Sequence, residues 1–153
     1  MTFVRKISLA LALMMPITLC ALSIDEGTKR VMKAAQKSVK EITAKELYDK
    51  IQKDEDLYLI DIRETLQLLH GEIFHLNLIK ITRGYLEFKV EEEIKDKKAQ
   101  IIVYCCSGQR GMLATKTLMD MGYTNVKSLK GGIREWVEQG YPLDTIYGEM
   151  ILK

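Results

Sequence analysis

Two nearly unbroken apolar runs, Leu57-Tyr58-Leu59-Ile60-Asp61-Ile62 and Ile101-Ile102-Val103-Tyr104, constrain this chain more than any other feature. Each has strand length and lacks the alternation of a strand with one wet face. Each therefore predicts a strand covered on both sides, as in a parallel sheet. The segments around them follow a helical period. Tyr85 to Ile94 sets Leu86, Val90 and Ile94 in one row, and Gln109 to Met121 sets Ala114, Leu118 and Met121 on one face before Gly122 stops it. Thr43 suits the N-cap of a helix over Ala44 to Gln52. Val126 to Leu129 reads as a further short strand, and Ile133 to Gln139 as a short helix ending at Gly140. Strands alternating with helices predict an α/β sandwich around a mostly parallel sheet. The 153 residues, 47% hydrophobic and 29% charged, suffice for one domain with a proper core, and no Ser-, Gly- or Gln-rich linker divides them.

The N-terminus reads differently. Arg5 and Lys6 precede an apolar run from Ile7 to Leu22, broken only by Ser8, Pro16 and Thr18, and Asp25 is the first acid. With small residues at Ala21 and Ser23, this predicts a secretory signal over residues 1–23, cut after Ser23, and an exported, periplasmic protein. The alternatives are an uncleaved anchor facing the periplasm, which would make the membrane a partner, and lipoprotein processing at Cys20. Residues 24–40 then form a helical extension and 41–153 the domain. Within the extension, Val31, Ala34, Ala35, Ser38, Val39 and Ile42 follow a helical period from Thr28 to Ile42. The opposite face carries Lys29, Arg30, Lys33, Lys37 and Lys40, read first as a solvated face and second as a docking surface for an acidic partner or lipid headgroups.

The whole chain carries a formal charge of +2, and Arg5 and Lys6 are the signal's only charges. Without the signal the domain is neutral, with no basic stripe near its motifs, which argues against nucleic-acid binding. Of the three cysteines, Cys20 belongs to the signal, leaving the adjacent Cys105 and Cys106. A bond between sequence neighbours closes almost no loop and would be strained, so the pair points to chemistry rather than to scaffolding.

That pair opens Cys105-Cys106-Ser107-Gly108-Gln109-Arg110-Gly111, between a buried strand and a helix, where open parallel sheets place ligands. A tight loop there aims backbone N–H groups at an anion, and the helix N-terminus adds its dipole. These groups favour the thiolate, the nucleophilic form of a cysteine at the loop's start. Gly108 and Gly111 permit backbone angles that larger residues resist, and Arg110 supplies a forked, permanently charged donor. The thiolate could attack a sulfur atom and keep it as a persulfide, or attack phosphate or arsenate. The oxyanion cradle of cysteine phosphatases needs one more residue between Cys and Arg than Cys106, Ser107, Gly108 and Gln109 provide, so the short loop favours sulfur.

Here the sequence resembles the rhodanese homology domain, over about residues 41 to 143. Asp61-Ile62-Arg63 looks like the family's Asp-x-Arg element, and Gly71-Glu72-Ile73 with Arg83-Gly84-Tyr85-Leu86-Glu87-Phe88 like its central segment. Tyr104 to Arg110 matches the six-residue active loop, which begins at Cys105, with the residue before it. Gly122-Tyr123, Gly131-Gly132-Ile133-Arg134-Glu135-Trp136 and Gly140-Tyr141-Pro142-Leu143 match the closing pattern. The resemblance implies a three-layer sandwich on a five-stranded sheet, with Cys105 as nucleophile and persulfide carrier. Cys106, Ser107, Gly108, Gln109 and Arg110 would be the anion cradle. It further implies double displacement from a small sulfur donor, polysulfide or thiosulfate, to a thiol or cyanide-like acceptor, without metal or organic cofactor. Two departures stand out. Cys106 replaces the basic residue that thiosulfate-using members often carry, and places a second thiol beside the persulfide. Phe74-His75-Leu76-Asn77 replaces the usual Pro-Gly-Ala turn.

Other residues have plainer readings. Asp61 and Arg63 could support catalysis, but a structural ion pair at the strand end is favoured. Arg83 either lines the pocket mouth or pairs with Glu87. His70 and His75 lack the spacing of a metal site and read as ordinary loop residues, Trp136 reads as core, and Glu91-Glu92-Glu93 as a solvated helix end. The competing function is a sulfur carrier or redox sensor that uses both cysteines and docks a redox protein through the basic helix. In that case Cys106→Ser abolishes function, whereas a turnover enzyme tolerates it.

Overall fold

The strand at the first cysteine, β4 (Ile101–Tyr104), is buried at every position. Its side chains alternate between the two faces of the sheet, and each face is roofed by helices, so the missing polar alternation in the sequence has a direct cause. Each fully buried Ile or Val there contributes roughly 1.5–3 kcal/mol relative to exposure. The computed structural model describes residues 17–151, with side chains from Glu26 onward.

In chain order the elements are α1 (Ile17–Gln36), β1 (Lys40–Ile42), α2 (Ala44–Gln52), β2 (Tyr58–Asp61), α3 (Thr65–Leu68), β3 (Leu78–Lys80), α4 (Leu86–Glu93, after a 3-10 turn at Arg83–Tyr85), β4, α5 (Gln109–Asp120), β5 (Val126–Leu129), α6 (Gly132–Glu138) and the strands β6 (Leu143–Thr145) and β7 (Gly148–Met150). The main sheet has the order β1-β5-β4-β2-β3. All four of its pairings are parallel. A separate antiparallel hairpin joins β6 and β7. Three layers with a five-stranded sheet are therefore observed, and the main sheet is parallel throughout.

One core lies between the sheet and α4 and α5, built from Ile60, Ile101, Val103, Leu86, Val90 and Leu118 among others. The other lies under α2 and α6, built from Leu47, Leu59, Ile102, Tyr104, Leu129 and Trp136 among others. Trp136 donates from Nε1 to the Pro142 carbonyl at 2.7 Å, and its ring packs against Tyr48 and Tyr141. Thr43 caps α2 as expected. Its side chain accepts from the Glu46 N–H, and the Glu46 carboxylate accepts from the Thr43 N–H at 2.8 Å, a complete capping box.

The helix expected over Thr28 to Ile42 is corrected at both ends. α1 begins at Ile17 and stops at Gln36, where the N–H groups of Ser38 and Val39 both turn back onto the Ala35 carbonyl. Lys40–Ile42 then leaves the helical period to pair with β5, register Ile42 to Leu129. The backbone hydrogen bonds of a sheet edge outweigh a local helical pattern here. Ala35 and Val39 still serve the packing foreseen for them, against Met112 of α5. Of the expected signal over 1–23, residues 1–16 lie outside the described residues. Among the described residues no helix is long and apolar enough to cross a membrane.

Candidate active site

β4 ends at Tyr104, and the chain bends into α5 through Cys105 to Gly108. Gly108 is the N-cap and takes φ +87°, a left-handed conformation that a β-carbon resists. The Gly108 carbonyl then accepts from Met112 N–H at 2.8 Å, the first hydrogen bond of the helix. Gly111 is the third residue of α5, so its N–H has no acceptor within the helix. It points instead at the Cys105 sulfur, 3.3 Å away. Cys105 is 1% exposed, so its Sγ sits below the loop on a backbone donor at the positive end of a twelve-residue helix.

The other side of the loop is held by α6. The Ile133 N–H donates to the Cys105 carbonyl at 2.9 Å, and the Arg134 N–H to the Cys106 carbonyl at 3.1 Å. This contact requires Gly132, at φ +62°, because a β-carbon there would lie 2.4 Å from the Cys105 oxygen. The Gly131-Gly132 pair in the sequence is thus the surface on which the loop rests.

Arg110 does not turn toward Cys105. Its Nη2 donates to the Gln67 side chain at 2.9 Å and to Cys106 Sγ at 3.5 Å, and its Nη1 lies 3.5 Å from a Glu64 carboxylate oxygen. Ser107 and Gln109 are exposed on the loop. Cys105, Cys106, Ser107, Gly108, Gln109 and Arg110 therefore share one tight loop, with Arg110 serving the second thiol.

Asp61 and Arg63 form the buried ion pair expected of them. Arg63 donates from Nη2 and Nε to Asp61 Oδ2 at 2.6 and 2.9 Å, and from its backbone N–H to Oδ1 at 3.0 Å. The same guanidinium donates to the carbonyls of Gln67 and Gly71 at 3.1 and 2.7 Å, and lies 5.6 Å from the Tyr104 ring centre. Burial, with the Asp61 carboxylate beside it, pushes the Tyr104 hydroxyl well above its ordinary value and keeps it neutral. Arg83 stands elsewhere. It bridges α4 and α5 through Glu87 at 2.8 Å and Thr117 Oγ1 at 3.0 Å.

Sequence reasoning missed three contributors to the site. Glu64 and Gln67, which brace Arg110, are the N-cap and third residue of α3, a helix of four residues and too short to show a period. Ser128 lies behind the loop, where a β-carbon at position 111 would come within 3.1 Å of its hydroxyl. In the sequence it is one of two polar residues in the run Val126 to Leu129, with nothing to single it out.

The comparisons with known proteins agree with this geometry. The family model of the rhodanese-like domain matches residues 43–139. A sulfurtransferase of Allochromatium vinosum is 31% identical over 105 residues, 69% of this chain and 94% of that protein. A thiosulfate sulfurtransferase of Haemophilus influenzae is 32% identical over 113 residues, 72% of this chain and 99% of that protein. The solution structure of a polysulfide-sulfur transferase homodimer from Wolinella succinogenes superimposes with a TM-score of 0.69 at 29% identity, covering 80% of this chain and 90% of that one. By its sheet order, its cysteine loop and these matches, the chain belongs to the rhodanese-like domain family.

Proposed function

We propose that the protein is a sulfurtransferase that carries sulfane sulfur as a persulfide on Cys105. The observation that supports this best is the Gly111 N–H aimed at the buried Cys105 sulfur, since a backbone donor so placed stabilises the thiolate that attacks the donor and that departs once sulfur is handed on. The Cys105 thiolate attacks the sulfane sulfur of the donor, and the donor's S–S bond breaks. The electron pair leaves with the remaining fragment, sulfite from thiosulfate or a chain shortened by one atom from polysulfide. The acceptor, a thiolate or cyanide, then attacks the outer sulfur and Cys105 departs as thiolate. Cys106 stands where thiosulfate-using relatives often carry a basic side chain, and the loss of that side chain favours polysulfide as donor. The basic and apolar N-terminus supports placing this activity on the exported side of the membrane.

The test is intact mass of the full chain in a Cys20→Ser background after exposure to polysulfide, beside its Cys106→Ser and Cys105→Ser variants. Sulfur retained by the Cys106→Ser variant and released by cyanide or a thiol supports Cys105 as carrier. A Cys106→Ser variant that gains no sulfur overturns it.

A further inference from the structure

The two cysteines are neighbours in sequence but stand on opposite sides of the sheet. The alternation of β4 continues past its end. Ile101, Val103 and Cys105 pack in the core under α4 and α5, while Ile102 and Tyr104 pack in the core under α6. Cys106 follows the second series. Cys106 is half-buried and lines an open cleft of about 350 Å³ whose lining does not include Cys105. Ile133, Val137 and Leu143 give this cleft an apolar wall, and Arg134 and Glu138 stand on its α6 side. Arg63 and His70 also line it. Asp61 neutralises Arg63, whereas Arg134 is exposed and has no ion pair among the described residues. A further guanidinium, Arg110, donates to the Cys106 sulfur.

The peptide between the thiols is pinned. Both cysteine carbonyls are bonded to α6, and Gly132 fills the space behind them. A disulfide would need the two sulfurs about 2.05 Å apart. The side chains leave this peptide toward different surroundings, so bringing the sulfurs together would require breaking its bonds to α6.

We propose that Cys106 is a second sulfur-loading thiol, fed from its own cleft by an anionic sulfur chain. This rests on the reading of the protein as a sulfurtransferase and extends it to a site with different surroundings. A polysulfide is an uncharged, polarisable row of sulfur atoms between anionic ends. It matches an apolar wall with a free cation at the rim and a guanidinium beside the reacting thiol. The Cys106 thiolate attacks the chain's terminal sulfur, and the next S–S bond breaks. The shortened polysulfide leaves with the electron pair, and one sulfur stays on Cys106 as a persulfide. No external oxidant enters, because the transferred sulfur arrives already in the sulfane state.

The experiment follows loading by inorganic polysulfide, with rapid quenching and intact mass, in the Cys20→Ser full chain and its Cys105→Ser, Cys106→Ser and double variants. Adducts at two positions in the parent, one in each single variant and none in the double variant are expected. In Cys105→Ser, loading at Cys106 is expected about tenfold faster than for the same chain unfolded in urea, reflecting a site rather than a merely accessible thiol. Adding Arg134→Gln is expected to slow it several-fold. A Cys105→Ser chain that takes no sulfur, or takes it at the unfolded rate, overturns the second site, as does indifference to Arg134→Gln. Loss of loading in Cys106→Ser overturns instead the role of Cys105, so the two failures are distinct.

Discussion

By sequence His75 is an ordinary loop residue, within the four positions that depart from the family's turn. In the structure it is buried, and its Nδ1 accepts the Asn77 N–H at 3.2 Å. The Leu78 N–H closes the turn on the His75 carbonyl at 3.1 Å and leads into β3. Burial lowers the imidazole's proton affinity below its ordinary value, and a proton on Nδ1 would also break the bond from Asn77. As pH falls, the unfolded chain therefore takes up this proton first. The stability owed to a neutral ring is intact well above about pH 6.5. It declines as pH drops through that value, and the decline ends below the folded-state value. Urea midpoints measured between neutral and mildly acid pH should fall in the parent and fall less steeply in His75→Gln. Parallel curves would remove His75 as the cause. The ion pair of Asp61 and Arg63 was legible as a pattern, but the two carbonyls that Arg63 also holds were not, because they belong to a segment without regular structure.

At the scale of elements, what was legible had a period long enough to count. α2 and β4 lie where the patterns put them, and β5 does as well. What escaped was short or set by partners distant in sequence. β1, β3, β6 and β7 have three residues each, and α3 has four. A three-residue edge strand such as β1 carries one buried side chain, too few to define alternation. The junction between α6 and the cysteine loop is the element contact on which the chemistry depends most. Gly132→Ala would force a β-carbon to within 2.4 Å of the Cys105 oxygen and a non-glycine residue to φ +62°. Strain at such a position costs about 1–3 kcal/mol before the collision is counted. We expect sulfur transfer to fall by at least about tenfold while the far-UV circular dichroism of the sheet persists at low temperature. Near-parental transfer by Gly132→Ala would mean that the loop does not need this support.

At the scale of the molecule, the sheet gives one face to each cysteine and the two cores hold those faces independently. The active loop belongs to both. Its sulfur-binding N–H comes from α5, and its carbonyls are held by α6. α6 has only seven residues, and the hairpin after it exposes Ile146 and Tyr147. A short helix followed by an exposed hairpin is the kind of unit that opens before the body of a domain. The one tryptophan of the chain, Trp136, lies in that helix and is 2% exposed. Opening of α6 would wet its ring and redden its emission, so the protein carries an intrinsic optical gauge of whether the loop is still supported. On heating, emission and transfer activity are expected to change together, ahead of the loss of sheet signal. If all three change at one temperature, α6 and the sheet melt as a single unit. If the two part company as expected, a fluorimeter alone can follow, in any variant, how much of the population holds its sulfur loop ready.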